Sequence, residues 1–296
     1  MKKKKLELLS GSTVFLLSVA LLLFFRGGST LLLVAVFAAQ WTSILVLIGA
    51  VDRYLLEESV FDIGPRKLSE LLLGSIIFHV GLVFYGGAAI RTMWYYPGLD
   101  FLVYAALAPV GYCLYGLALY GLYETVEREL EPVPRENHLG GYYSSLMKLE
   151  IAAGVAGATV STYYIIDLVF THQIALGAIQ QAPELQLPLW FFFLPWLSMF
   201  LLFDGLCYLS GKTTLTLKTI NRDFSPVYAI LIASAIGILM IEVVNSPVGL
   251  WEFVNWPYPD FKIFGLPGLV YAVWPLQLPA LLAVIRLIMP EGERIW

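Results

Sequence analysis

Apolar residues in this chain come in long unbroken runs, with no alternation at the strand period and little one-sided patterning at the helix period. Eight runs stand out, approximately 8–25, 30–51, 68–90, 101–123, 149–170, 187–208, 226–247 and 266–288. A helix needs about 20 apolar residues to cross the roughly 30 Å of hydrocarbon in a bilayer. Backbone groups immersed in lipid must bond within their own segment, so these runs predict helices. The segments between them hold most of the charge and much of the Pro and Gly. The pattern therefore predicts an all-α, polytopic membrane protein of eight transmembrane helices.

Composition strengthens that reading. Of the 296 residues, 59% are hydrophobic and 14% charged, against about 45–50% and 25% in soluble domains. Lys2 to Lys5 followed by an apolar stretch has the form of a signal peptide, but a second run follows at once, so a retained first span is expected. Placing the N-terminus in the cytoplasm puts 15 of the 18 Lys and Arg residues on the inner side, leaving Arg26, Arg91 and Lys262 outside. That asymmetry predicts a multi-pass protein of the cell membrane with both termini cytoplasmic. The net charge of −4 adds nothing about partners, and no feature points to nucleic acid.

The two halves carry similar marks. Trp41-Thr42-Ser43 lies in the second run and Trp196-Leu197-Ser198 in the sixth, each followed by an acid, Asp52 or Asp204. Trp94-Tyr95-Tyr96-Pro97 precedes the fourth run and Trp256-Pro257-Tyr258-Pro259 the eighth. These marks predict a parallel 4+4 internal duplication, with residues 1–124 as the first repeat, 125–148 as a cytoplasmic linker and 149–296 as the second repeat. Such repeats are related by an axis along the membrane normal. The segment 124–137, ETVERELEPVPREN, reads as a solvated helical extension ended by Pro-Val-Pro, or as a docking surface for a membrane-protein partner.

Ionisable groups inside membrane spans are costly and tend to face a cavity or a partner. Two fit that description: His79, near the middle of its run, and Glu242, in the outer half of its own. Glu242 lies 14 residues before Trp256 and His79 15 before Trp94, so duplication would set them in near-equivalent places facing one cleft. A buried carboxyl there can donate a proton, relay one or pair with His79; the alternative is a hydrogen bond that fixes helix packing. Asn245 and Ser246-Pro247 follow Glu242 and should weaken the helix. The outer loop 248–268 then carries Trp251, Glu252, Trp256 and Tyr258, either as an interfacial anchor or as a lid over an outward-facing cavity. Gln40, beside Trp41, is a further candidate for the cleft. Glu242, His79 and Glu252 are thus the candidates for chemistry, and Gln40, Trp41, Trp196, Asn245, Trp251, Trp256 and Tyr258 those for binding.

No cofactor is expected. Cys113 and Cys207 fall inside apolar runs as small core residues, and no Cys/His set has metal-ligand spacing. His79 and His172 are poorly matched in depth for haem, no mid-span lysine suits a retinal Schiff base, and phosphate-loop and nucleophile-elbow motifs are absent.

Gly249-Leu250-Trp251-Glu252, running through Trp256, Tyr258 and Gly265-Leu266-Pro267, resembles the Trp-acid…Trp-x-Tyr…Gly-x-Pro stretch of membrane carotenoid-biosynthesis proteins of the lycopene-cyclase type. The likeness covers about 20 of the 296 residues. Those proteins follow the proline with paired glutamates, whereas Pro267 is followed here by Gly268, Leu269 and Val270. The resemblance implies a protein that acts on or binds an isoprenoid or carotenoid-type lipid in the bilayer, with Glu242 as a proton donor assisted by His79 or Glu252. Two other readings stay open at this point. One is a small-solute or proton-coupled transporter with its site between the halves; the other is a non-catalytic membrane subunit, for instance one holding a quinone-like ligand.

Overall fold

As far as the residues are described, each of the eight apolar runs falls largely on helix. The computed structural model describes residues 2–26, 29–86, 93–97, 101–130, 142–171 and 185–290. The long helices are α1 (Lys2–Phe24), α2 (Thr30–Leu55), α3 (Pro65–Gly86), α4 (Phe101–Glu129), α5 (Tyr143–Thr171), α6 (Leu194–Leu209), α8 (Ser225–Gly237) and α10 (Val270–Ile288). Short pieces complete them: a 3-10 turn at Leu189–Phe192 before α6, α7 (Leu215–Ile220), a π-turn at Ile238–Glu242 and α9 (Val243–Asn245), the last two prolonging α8. Among the described residues, six helical stretches are long and apolar enough to cross a membrane: α1, α2, α3, α5, α8 with its extension, and α10. Helix α6 is apolar but only 16 residues long, about 24 Å at 1.5 Å per residue.

Start signals are local. Ser29 accepts a hydrogen bond from the Leu32 amide at the head of α2, and Thr214 does the same for Leu217 at α7, the role that favours hydroxyl residues at helix N-caps. Proline opens α3 and lies in the first turn of α8, where the missing N–H is not needed. At the far end of α10, Lys212 Nζ donates to the carbonyls of Arg286, Leu287 and Met289 at 3.1, 2.6 and 2.5 Å, capping orphan acceptors.

Helix α10 is the central element, packing on α3, α6 and α8, while α4 packs on α2, α3 and α8. Helix α1 lies on α2, and α5 lies on α6. Small residues set the closest approaches. A Cβ built on Gly154 of α5 would lie 2.5 Å from the Leu202 amide nitrogen of α6, and one on Gly74 of α3 would lie 2.8 Å from the Ile285 side chain of α10. Such positions let helix backbones approach where no hydrophobic drive separates helix from lipid.

Asp52 and Asp204 earn a structural role at the ends of α2 and α6. Asp52 accepts from the Val60 amide at 2.9 Å and from the Thr125 hydroxyl; Asp204 accepts from the Leu215 and Thr216 amides at 2.9 and 3.0 Å. Each buried carboxyl thereby fastens the loop that follows its helix. Helix α4 runs on to Glu129 as the helical extension expected, but its start is not solvated: Glu124 and Thr125 are buried, Thr125 drawn in by its bond to Asp52. Residues 131–137 of that segment lie outside the described residues. In the 56–64 loop Ser59 and Val60 turn inward, while Lys4 and Arg53 hold the exposed carboxyls of Glu57 and Asp62 below their ordinary range through direct hydrogen bonds.

Two short antiparallel ribbons close the opposite end of the bundle, where α2 and α4 begin. β1 (Trp94–Tyr95) pairs with β2 (Glu252–Phe253), and β3 (Lys262–Ile263) with β4 (Leu266–Pro267). The β3–β4 turn places Phe264 and Gly265 at φ +48° and +81°, the left-handed pair that two-residue hairpins require.

Candidate functional site

The first ribbon covers a cavity of about 200 Å³ lined by α2, α4, α10, the π-turn after α8 and Leu82 of α3. Three helices each supply one stripe at i, i+3, i+4 and i+7: Val34, Phe37, Ala38 and Trp41 from α2; Ala108, Gly111, Tyr112 and Tyr115 from α4; Val270, Val273, Trp274 and Gln277 from α10. That spacing is one helical face. Trp94, Tyr96, Trp251, Phe253 and Trp256 complete the wall from the ribbon side. The rings contact one another edge-on, Phe37 with Trp251 at 4.8 Å, Trp41 with Tyr115 at 5.3 Å and Tyr115 with Trp274 at 5.8 Å between centroids. Edge-to-face pairing of this kind fixes ring orientation as well as burying area.

Glu242 is the only carboxyl among the described lining residues. It is buried and held by two indoles: Trp251 Nε1 donates to Oε2 at 2.9 Å and Trp274 Nε1 to Oε1 at 3.3 Å. Its placement depends on the π-turn. Within that turn the Met240 carbonyl accepts a hydrogen bond from Gln40 Nε2 at 2.9 Å, reaching across from α2. Wide turns of this type recur at functional sites. Gln40 therefore serves the backbone that carries Glu242 and is not among the residues lining the cavity.

Asn245 also acts on the backbone. Its Oδ1 accepts from the Leu250 and Trp251 amides at 3.0 and 3.4 Å, and its Nδ2 donates to the Trp251 carbonyl at 2.9 Å. These bonds turn the chain back after α9 so that Trp251 reaches Glu242. Asn245→Ala strands three buried backbone groups, each worth about 1–3 kcal/mol when left unpaired. A loss of about 3 kcal/mol is expected in detergent unfolding, with faster proteolysis within 248–268; unchanged stability and cleavage would count against this role.

The structure separates the sequence candidates into two sets. Trp41, Glu242, Trp251 and Trp256 come together at the cavity. Trp256 is buried, its Nε1 donating to the Met93 carbonyl at 2.7 Å and its ring against Phe192 at 4.7 Å. The two loop tryptophans thus face inward over the cavity, while Tyr258, Phe261 and Phe264 of the same segment are exposed. Four candidates lie elsewhere. Glu252 is exposed and accepts from Tyr95 Oη at 2.9 Å across the ribbon, because strand alternation turns it away when Trp251 turns in. Tyr258 is exposed at φ +57°. Trp196 is fully buried against Phe78, at 6.5 Å between ring centres. His79 is buried one ring behind the wall, stacked on Tyr112 at 4.2 Å and edge-on to Tyr115 at 5.3 Å. Its Nδ1 donates to the Ser75 carbonyl at 2.5 Å.

Trp274, Tyr115, Tyr112, Tyr96 and Phe37 are site residues that the sequence reading passed over. The stripe spacing on α2, α4 and α10 carried the signal for Phe37, Tyr112, Tyr115 and Trp274. Tyr96 stood in the Trp94–Pro97 mark without being read as a site residue, and it joins through its hydrogen bond to Tyr112. Among the described residues, no group of three or more His, Cys, Asp or Glu side chains could hold a metal ion.

Searches against protein-family models, curated proteins and solved structures each return no match for the chain. The class defined by fold and site is thus a helical, membrane-compatible bundle with an aromatic cavity and a single lining carboxyl.

Proposed function

We propose that this protein binds, and acts chemically on, an apolar isoprenoid or carotenoid-type lipid within the bilayer. The observation that carries the reading is the cavity itself: an apolar, aromatic wall with one carboxyl held in place by two indole N–H groups. In this reading Glu242 donates its proton to a carbon–carbon double bond of the lipid. The carbocation that forms is stabilised by the faces of Trp41, Tyr115 and Trp274, and loss of a proton back to Glu242 restores the acid and leaves an isomerised or cyclised product. The local likeness at 249–267 to carotenoid-biosynthesis proteins of the lycopene-cyclase type favours the same ligand class, and its Trp251 is the residue that grips Glu242.

The finer architecture belongs to this proposal. Helices α4 and α6 join the six apolar helices as further spans, both termini lie in the cytoplasm of a cell-membrane protein, and the ribbon covers the cavity from outside. A 4+4 duplication is supported by matched packing: α1 on α2 as α5 on α6, α2 on α4 as α6 on α10, and α4 on α8 as α3 on α10. The transporter reading calls for broken helices in corresponding positions. Helix α8 has its π-turn, whereas its counterpart α3 is continuous from Pro65 to Gly86, so that reading has less behind it.

Lipid extracts of membranes carrying the protein, compared with membranes lacking it, test the proposal. A changed isoprenoid or polyene profile is the expected result, and identical profiles across a panel of supplied prenyl lipids would overturn it.

A further inference from the structure

Most glycines inside the helices are pressed against a neighbour. At Gly74, Gly81, Gly116, Gly121, Gly154, Gly157, Gly205 and Gly237 a Cβ would collide with a neighbouring side chain or backbone at 2.1–2.8 Å. These are packing glycines. Gly111, midway along α4, differs: a Cβ there meets nothing within 4 Å. A glycine in a helix interior gives up helix propensity, and here no neighbour among the described residues requires it.

Gly111 lies on the cavity wall, and the wall beside it reaches the outer surface of the bundle. Ala38 of α2 and Val110 of α4 both line the cavity and are exposed, Val110 by 61%, with Val34 and Ala108 half-buried next to them. Helices α2 and α4 run in the same direction, since Trp41 meets Tyr115 and Asp52 meets Thr125. Ala38 and Gly111 therefore sit roughly 12 and 15 Å from the starts of their helices, at a depth that a bilayer of about 30 Å fills with hydrocarbon. The opposite route, toward water, is covered by the paired strands and by Trp251 and Trp256. The cavity volume, about 200 Å³, falls below the roughly 300–1,000 Å³ of pockets that enclose a whole drug-sized ligand.

We infer that the gap between α2 and α4, floored by Gly111 and flanked by Ala38, is a lateral portal through which one end of a long apolar lipid enters from the bilayer while the rest of its chain stays outside. The inference rests on the apolar-ligand reading of the cavity and adds to it the route, the orientation and the consequence that reaction is confined to the inserted end. The absent side chain at Gly111 is the space the lipid chain crosses.

The test uses the full chain in lipid nanodiscs with two diazirine-bearing photoprobes, one of geranylgeraniol and one of stearic acid. Adducts of the geranylgeranyl probe are expected on 34–41 and 108–115, competed by unlabelled geranylgeraniol. Gly111→Ala, Leu and Trp should reduce them progressively, at least tenfold for Trp. Val160→Trp, exposed on α5 and away from the cavity, should leave them within twofold, and the graded series keeps the result readable should the Trp variant fold poorly. Adducts at the same residues from the stearyl probe alone would retain the portal and overturn the isoprenoid reading. Adducts scattered over the lipid-facing residues of α1 and α5 and indifferent to Gly111 would overturn the portal, leaving the lipid-extract comparison to judge the reading separately.

Discussion

Glu242→Gln is expected to keep the bundle folded and to reduce conversion of the bound lipid by about a hundredfold or more, the lower end of what a positioned acid or base contributes. Glutamine fills the same volume and still offers one carbonyl oxygen to Trp251 or Trp274, which now donate to the two carboxyl oxygens at 2.9 and 3.3 Å. One indole N–H loses its acceptor, a cost of about 1–3 kcal/mol, and the labile proton is gone. The variant should therefore bind lipid and fail to transform it. Product and precursor measured in extracts decide this, with photoprobe labelling as the control for binding. Conversion equal to wild type would remove Glu242 from the mechanism. Labelling lost along with conversion would show that Glu242 shapes the cavity and no more.

The second large effect concerns stability. Gly154→Val should cost about 3 kcal/mol or more, at the upper end of overpacking penalties. The new Cβ would lie 2.5 Å from the backbone nitrogen of Leu202 and 2.9 Å from its Cα, and backbone cannot rotate aside as a side chain can. Helices α5 and α6 would have to part along the stripe that Gly154, Gly157 and Ser161 form. Gly111→Ala provides the contrast: with no atom within 4 Å of the new methyl, stability should hold or rise slightly, as helix propensity favours alanine. Unfolding curves in one detergent compare the two directly. Equal midpoints would mean that the approach of α5 to α6 does not limit stability.

Helix positions were legible because each is written in one stretch of chain: an apolar run, bounded by charge, Gly or Pro. The site was legible only in part. Glu242 announced itself as a lone acid in an apolar helix, and Trp251 and Trp256 as aromatics in a proline-rich loop. The inward turn of those tryptophans depends on Asn245 and on strand pairing across 157 residues, between Tyr95 and Glu252; no local pattern encodes such a partner. His79 illustrates the opposite failure. Its spacing to Trp94 matched that of Glu242 to Trp256, but spacing along a helix fixes depth and not which ring stands in between, and Tyr112 and Tyr115 occupy that place. Gln40 was found for its polarity, yet its partner is a carbonyl within a π-turn, a departure from helical geometry with no residue signature of its own.

The cover over the cavity draws on both ends of the gene. Trp94 and Tyr95 pair with Phe253 and Glu252, and the Met93 carbonyl receives both the Val254 amide and the Trp256 indole. A polypeptide severed between α4 and α5 would thus yield two fragments, neither able to roof anything alone. Co-expressed, they should find each other through this seam, and the roof should form only where both are present.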